Sequence, residues 1–340
     1  MHRSWAWFAV VTLLMSSAAA CGDDEPAADG GSDHDDHGKA GRGGKGGKGG
    51  AGGKGGASGA GKGGAGGAGG KGGAGGDGDS MQAVTIRFKA KIGDEDLECG
   101  KWYGNLGNTK QTATPQDFRF FVEELSLISE GGDKVKVQFD ERSPFQTKDV
   151  ALLDFTNNQG NCTAGGAMVN TTITGKVPRG EYSGVEFVNG VPESLNHQNI
   201  TLAKPPLQDV STYWGWSSGY RFIMTGLLAM TASAQDTTDA GTDLKSGANF
   251  AHIGSTACSG GTATGFTCSH PNRNRVKFDD FDVGEDVIVA DLGKAFADVD
   301  LTSGVECHGT GADCKPVYEA FGVNMDSGEA LDSQQVFRVE

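Results

Sequence analysis

The stretch VTIRFKAKI, residues 84–92, decides the fold class. Val84, Ile86, Phe88, Ala90 and Ile92 alternate with Thr85, Arg87, Lys89 and Lys91, so an extended chain here has one apolar face and one largely basic face. A period of two marks a half-buried β-strand, because successive side chains of a strand point to opposite sides. Similar short apolar runs recur at 118–128, 135–139, 150–155, 169–177, 182–188, 275–281 and 287–290, with Gly, Pro, Asn and Asp in most of the gaps. Only 291–299 carries helical spacing. The expected fold is all-β, an antiparallel sandwich or barrel-like domain with one or two short helices, filling residues 81–340.

The first 80 residues read differently. Residues 1–20 hold Arg3, an apolar run from Trp5 to Met15 and then Ser-Ser-Ala-Ala-Ala, the pattern of an export signal too short to span a membrane. Cys21 follows directly, as in a bacterial lipoprotein box, and is the expected lipidation site and mature amino terminus. Residues 21–80 are acidic at first and then an irregular Gly-Gly-Lys and Gly-Gly-Ala tract with no large apolar residue to bury, which reads as a disordered tether. Such a coil spans roughly 40 Å root-mean-square, enough to lift a domain clear of a lipid surface. The expectation is an exported lipoprotein of the outer membrane, periplasm or cell surface, anchored through its lipid. His34 and His37 lie on the acidic part of this segment, where nothing preorganises them for a metal.

Beyond residue 80 the chain has 21 Lys and Arg against 35 Asp and Glu, a net negative charge that argues against nucleic acid as a partner. Six cysteines follow Cys21, an even number that in an exported chain implies three disulfides. Separations of ten and seven residues pair Cys258 with Cys268 and Cys307 with Cys314, which leaves Cys99 to Cys162. No C-x-x-C, P-loop or H-E-x-x-H pattern is present. Asp279, Asp280, Asp282, Glu285 and Asp286 cluster without the spacing of an EF-hand and read as a solvated turn.

YWGWSSGYRFIM, residues 213–224, concentrates aromatic residues in a chain otherwise poor in them. In a strand Trp214 and Trp216 would share a face, and after the Ser-Ser-Gly turn Tyr220, Phe222 and Met224 would share one. A buried core strand is the plain interpretation. The domain has four histidines: His197, His252, His270 and His308. With every thiol oxidised, imidazole is the natural donor for copper, and two imidazoles suffice to begin a site. His270 and His308 look like exposed loop residues beside cysteines.

In order, VTIRFKAKIG, Cys99, DFRFFVEELSLI, VALLDF, GVPESLNH, YWGWSSGYRF, HIGSTAC, CSHPN and the closing QQVFRVE resemble the MbnP-like copper-binding proteins, also described as four-Cys-motif proteins of a metallo mystery pair system. The resemblance covers nearly all of residues 82–340. It implies a non-enzymatic protein that binds copper, Cu(I) or Cu(II), for acquisition or storage. It also implies a partner, a MauG-like di-haem enzyme of the cytochrome c peroxidase group, that opens one tryptophan to kynurenine. Carried onto this chain, the ligand histidines are His197 and His252, and the modified residue is Trp214 or Trp216. It supports the disulfides of Cys99, Cys162, Cys258 and Cys268, with Cys307 and Cys314 as an additional pair. Ring opening makes that chemistry reasonable, since an indole N–H only donates whereas an aryl amine beside a carbonyl offers lone pairs. Two other readings stand beside it: an adhesion or ligand-binding sandwich that uses the aromatic strand, and a tryptophan pair that only relays electrons.

Overall fold

The computed structural model describes residues 80–230, 247–261 and 263–340. The expected export signal, Cys21, the glycine tether, His34 and His37 lie outside the described residues.

Two sheets dominate. The first is built on Met81–Ile92, flanked by Thr172–Pro178 on one side and Ile288–Asp291 on the other, with Phe337–Val339 and Gln138–Phe139 at its edges and Glu95–Asp96 added to its centre strand. The second is built on the 19-residue strand Gln111–Ser129, which pairs with Tyr182–Asn189 and Ile223–Ala229, and also with three short strands. Ala248–Ile253 and Glu306–Cys307 extend this sheet beyond Ile223–Ala229.

The opening alternation behaves as expected: Val84, Ile86, Phe88, Ala90 and Ile92 are all buried. Their apolar face meets the second sheet through phenylalanines. Phe88 packs edge-on to Phe120 and Phe187, and Phe337 of the first sheet does the same to both. Edge-to-face rings gain electrostatically as well as by burial, which favours this arrangement over parallel stacking. Cys99–Cys162, Cys258–Cys268 and Cys307–Cys314 are all bonded as the spacing indicated.

Several differences have local causes. The sheets are mostly antiparallel, but Met81–Ile92 runs parallel to Ile288–Asp291 and Ala248–Ile253 runs parallel to Glu306–Cys307. Alternation reports burial and carries no information on strand direction. The long strand starts at Gln111 rather than 118 and runs through Pro115, where the register with Ile223–Ala229 shifts between Gly226 and Leu227. A bulge is where a central strand tolerates a residue with no N–H. Helical structure at 291–299 shortens to Leu292–Ala295, whose first turn is capped by the Asp291 carboxylate accepting from the backbone N–H groups of Gly293 and Lys294. Two further short helices, Glu193–Asn196 and Lys315–Ala320, have too few residues to show a period in sequence.

Candidate metal centre

The aromatic stretch forms a small hairpin, Tyr213–Gly215 against Gly219–Tyr220, and then enters the second sheet as Ile223–Ala229. Tyr220, Phe222, Ile223 and Met224 are fully buried, so this part is core. The tryptophans are not a pair on one face. The register is irregular between Tyr213 and Gly215, Gly215 adopts φ +153°, and Trp216 falls in the turn rather than in a strand. Trp216 is 54% exposed and meets Phe266 edge-on, at 5.3 Å between ring centroids. Trp214 is half-buried and lies against the backbone at Gly254. The run Gly215-Trp216-Ser217-Ser218-Gly219 matches G-x-S-x-G letter for letter. Ser217 nevertheless sits in a hairpin turn, whereas a nucleophile elbow joins a strand to a helix.

His252 belongs to the strand Ala248–Ile253. In the parallel pairing with Glu306–Cys307, Phe250 opposes Glu306 and Ala251 opposes Cys307. Carrying that register one residue further sets His308 beside His252, and the rings meet there. Their Nδ1 atoms are 3.4 Å apart and their centroids 5.2 Å apart. Phe250, two residues before His252 and therefore on its side of the strand, touches both rings, at 5.1 Å and 4.9 Å. Disulfide-bonded Cys307 and the left-handed Gly309 (φ +88°) fix the backbone on either side of His308.

The electrostatics leave His252 uncharged. Burial first, then the positive charge of Arg221, then His308 and Arg119, push its imidazole down to about 3. A neutral ring offers a lone pair, which a metal requires. The nearby cations are themselves balanced. Arg119, fully buried, makes a bidentate pair with Asp117 at 2.7 Å and 2.8 Å, and Arg221 holds the Ser211 carbonyl at 3.1 Å and lies over the Trp214 ring at 5.9 Å. Met224, the cross-strand neighbour of His252 in the register, brings a thioether-bearing residue to the same face.

A cavity of about 580 Å³ opens beside this pair, lined by Trp214, His308, Ser217, Ser255, Thr256 and Cys258 among others. Of the two tryptophans, Trp214 therefore shares a cavity with His308.

His197 stands in a different group. It caps the carboxyl end of Glu193–Asn196, stacks on Phe266 at 4.8 Å and lies 2.9 Å from the Trp216 carbonyl through Nδ1 and 3.2 Å from the Cys268 sulfur through Nε2. Its hydrogen-bond and ring partners and those of His252 have no residue in common. His197 thus joins Trp216, and His252 joins His308. The residue that sequence reasoning passed over is His308. Its one signal was its place directly after a cysteine, and contact with His252 depends on a parallel pairing across 56 residues.

A family model described as MbnP matches residues 81–309, a span that contains Trp214, Trp216, His197, His252 and His308. Among solved structures, MbnP from Methylosinus trichosporium matches with 27% sequence identity and a TM-score of 0.67, over 77% of this chain and 99% of that chain. Comparison with curated proteins finds no match. The family model spans about two thirds of the residues, and the match to the solved relative covers nearly all of that chain; the chain belongs to the MbnP family.

Proposed function

We propose that this protein binds copper as cargo through His252 and His308, for acquisition or storage, without catalysing a reaction itself. The observation that carries the reading is the pair of imidazole nitrogens facing each other at 3.4 Å, with one ring kept neutral by its surroundings. Imidazoles without free thiolates suit copper in an oxidising compartment. Family membership supports the same reading.

In this proposal Trp214, rather than Trp216, is the residue that a MauG-like di-haem partner opens to kynurenine. Trp214 lines the cavity that His308 also lines, whereas Trp216 packs on Phe266. Dioxygen is the oxidant: its two oxygen atoms add across the indole C2–C3 bond, which breaks, and water then hydrolyses the resulting formamide, releasing formate and leaving an aryl amine. The copper is presented at a membrane by a lipid on Cys21 and the glycine tether.

Copper titration of the wild type and of His252→Ala, His308→Ala and His197→Ala tests the ligand assignment. Binding is lost in the first two variants and kept in the third; a His308→Ala protein that binds like the wild type overturns it. Intact mass after co-production with the di-haem partner tests the modification. Trp214→Phe abolishes the mass change and Trp216→Phe keeps it, and the opposite result transfers the role to Trp216. One observation favours a second reading, a ligand-binding aromatic face: Trp216 is exposed beside Phe266. Glycan binding that survives loss of both His252 and His308 would support that reading instead.

A further inference from the structure

His197 is oriented like a metal ligand. Its Nδ1 faces the Trp216 carbonyl at 2.9 Å, and a carbonyl only accepts, so the proton of the neutral ring sits on Nδ1. Nε2 then carries the ring's lone pair. It points at the Cys268 sulfur at 3.2 Å and receives one long contact from the Asn196 amide, also at 3.2 Å. Holding one ring nitrogen with a backbone carbonyl while the other is free is how ligand histidines are oriented in metal sites. Phe266, stacked on the ring, restrains its rotation.

The sulfur it faces belongs to a disulfide that bridges directly opposed residues of an antiparallel hairpin, Thr256–Gly261 against Gly265–His270. Both cysteines are half-buried, and Cys258 also lines the 580 Å³ cavity, so solvent reaches the bridge. One donor atom from each of His197, Cys258 and Cys268 falls within 4.8 Å of the others.

We infer that Cys258, Cys268 and His197 form a second metal site, closed while the disulfide is intact and opened by reduction, which takes one thiophilic closed-shell cation such as Cu(I). A dithiol reductant opens it by exchange. Its thiolate attacks one sulfur, the S–S bond breaks, and the second thiol of the reductant resolves the mixed disulfide. Two electrons and two protons pass to the protein, which gains two thiols as the reductant becomes a disulfide. On capture of the cation both thiol protons go to water, and the two thiolates with the Nε2 lone pair supply a three-donor S₂N set. Asn196 gives up only its contact to Nε2, because its carbonyl still accepts from the Tyr220 N–H at 2.8 Å. The site shares no residue with His252 and His308, so it stands or falls separately from the copper reading above.

The test uses the chain carrying His252→Ala and His308→Ala, which isolates the second site. The protein is reduced with a phosphine, which takes its oxygen from water and leaves two thiols per bridge, then desalted and titrated with chelate-buffered Cu(I). The reduced protein gains one equivalent that the oxidised protein does not hold. Adding Cys258→Ala with Cys268→Ala removes that equivalent, adding Cys307→Ala with Cys314→Ala keeps it, and His197→Ala weakens it by more than about tenfold. Three results overturn the inference: no gain on reduction, a gain that survives loss of Cys258 and Cys268, or an affinity unchanged by His197→Ala.

Discussion

The three disulfides close loops of very different length, and their removal separates them by energy. Cys99–Cys162 spans 63 residues, Cys258–Cys268 spans 10 and Cys307–Cys314 spans 7. In the chain-entropy account a cross-link acts by restricting the unfolded chain, by an amount that grows with the logarithm of the loop. This gives about 4 kcal/mol for the long bridge, about 3 for the hairpin bridge and about 2 for the last. Packing widens the difference. Cys162 is buried against the Pro115 carbonyl at 3.5 Å, so alanine there leaves a gap in the core, whereas the hairpin cysteines are half-exposed and leave none. The assay is urea unfolding of Cys99→Ala/Cys162→Ala and of Cys258→Ala/Cys268→Ala. The first double variant loses at least about 1.5 kcal/mol more than the second, and its m-value rises because the unlinked denatured chain exposes more surface. Equal losses, or a larger loss from the hairpin pair, would refute the reasoning. The redox-gated site needs this order, since a bridge that can be opened in use must be one whose opening leaves the fold standing.

Two further outcomes follow from close packing and from burial. A Cβ added at Gly254 would lie 2.6 Å from Cζ3 of Trp214 and against the Tyr220 carbonyl, so Gly254→Ala costs about 1–3 kcal/mol by overpacking and displaces the indole. Tryptophan fluorescence and the urea midpoint both report it, and a protein unchanged in both would show that Trp214 does not rest on Gly254. Glu123, buried beside Arg273, has its carboxyl raised to about 7, chiefly by burial and partly offset by that guanidinium. The folded state keeps a proton that the unfolded chain releases near the ordinary value of 4.5, so stability falls as pH rises from there to about 7 and levels off above it. The change amounts to about 3 kcal/mol at most, and Glu123→Gln flattens it. Unfolding midpoints of both proteins at pH 5 and pH 8 decide the matter, and an undiminished fall in the variant counts against it.

The fold was legible where burial imposes a period. Residues 84–92 alternate because one face meets a layer of phenylalanines and the other meets solvent, and the disulfides were legible because short separations between cysteines leave few alternatives. Pairing partners were not legible. Phe88 opposes Ile288 across 200 residues, and nothing in either segment specifies a parallel neighbour. The aromatic stretch was misleading for a local reason: alternation holds only while the strand does, and a shifted register at Gly215 sends Trp216 into the turn.

The site was half legible for a related reason. Composition picks out imidazoles in a protein whose described thiols are all bonded, and the family resemblance picks out His197 and, for the pair described above, His252. Which imidazole faces it depends on a two-residue strand, Glu306–Cys307, too short to have any pattern of its own. That strand is held where it is by the parallel pairing with Phe250 and Ala251, by the Asn249 side chain accepting the Val305 N–H at 3.0 Å, and by the bond from Cys307 to Cys314. The extra cysteine pair therefore has a position-setting role. It fixes the residue before His308, so opening it frees the backbone that brings the two imidazoles together. Cys307→Ala/Cys314→Ala should then weaken copper at His252 and His308 while leaving His197 and its sulfur neighbours untouched. Copper affinity unchanged in that variant would mean that strand pairing alone holds His308.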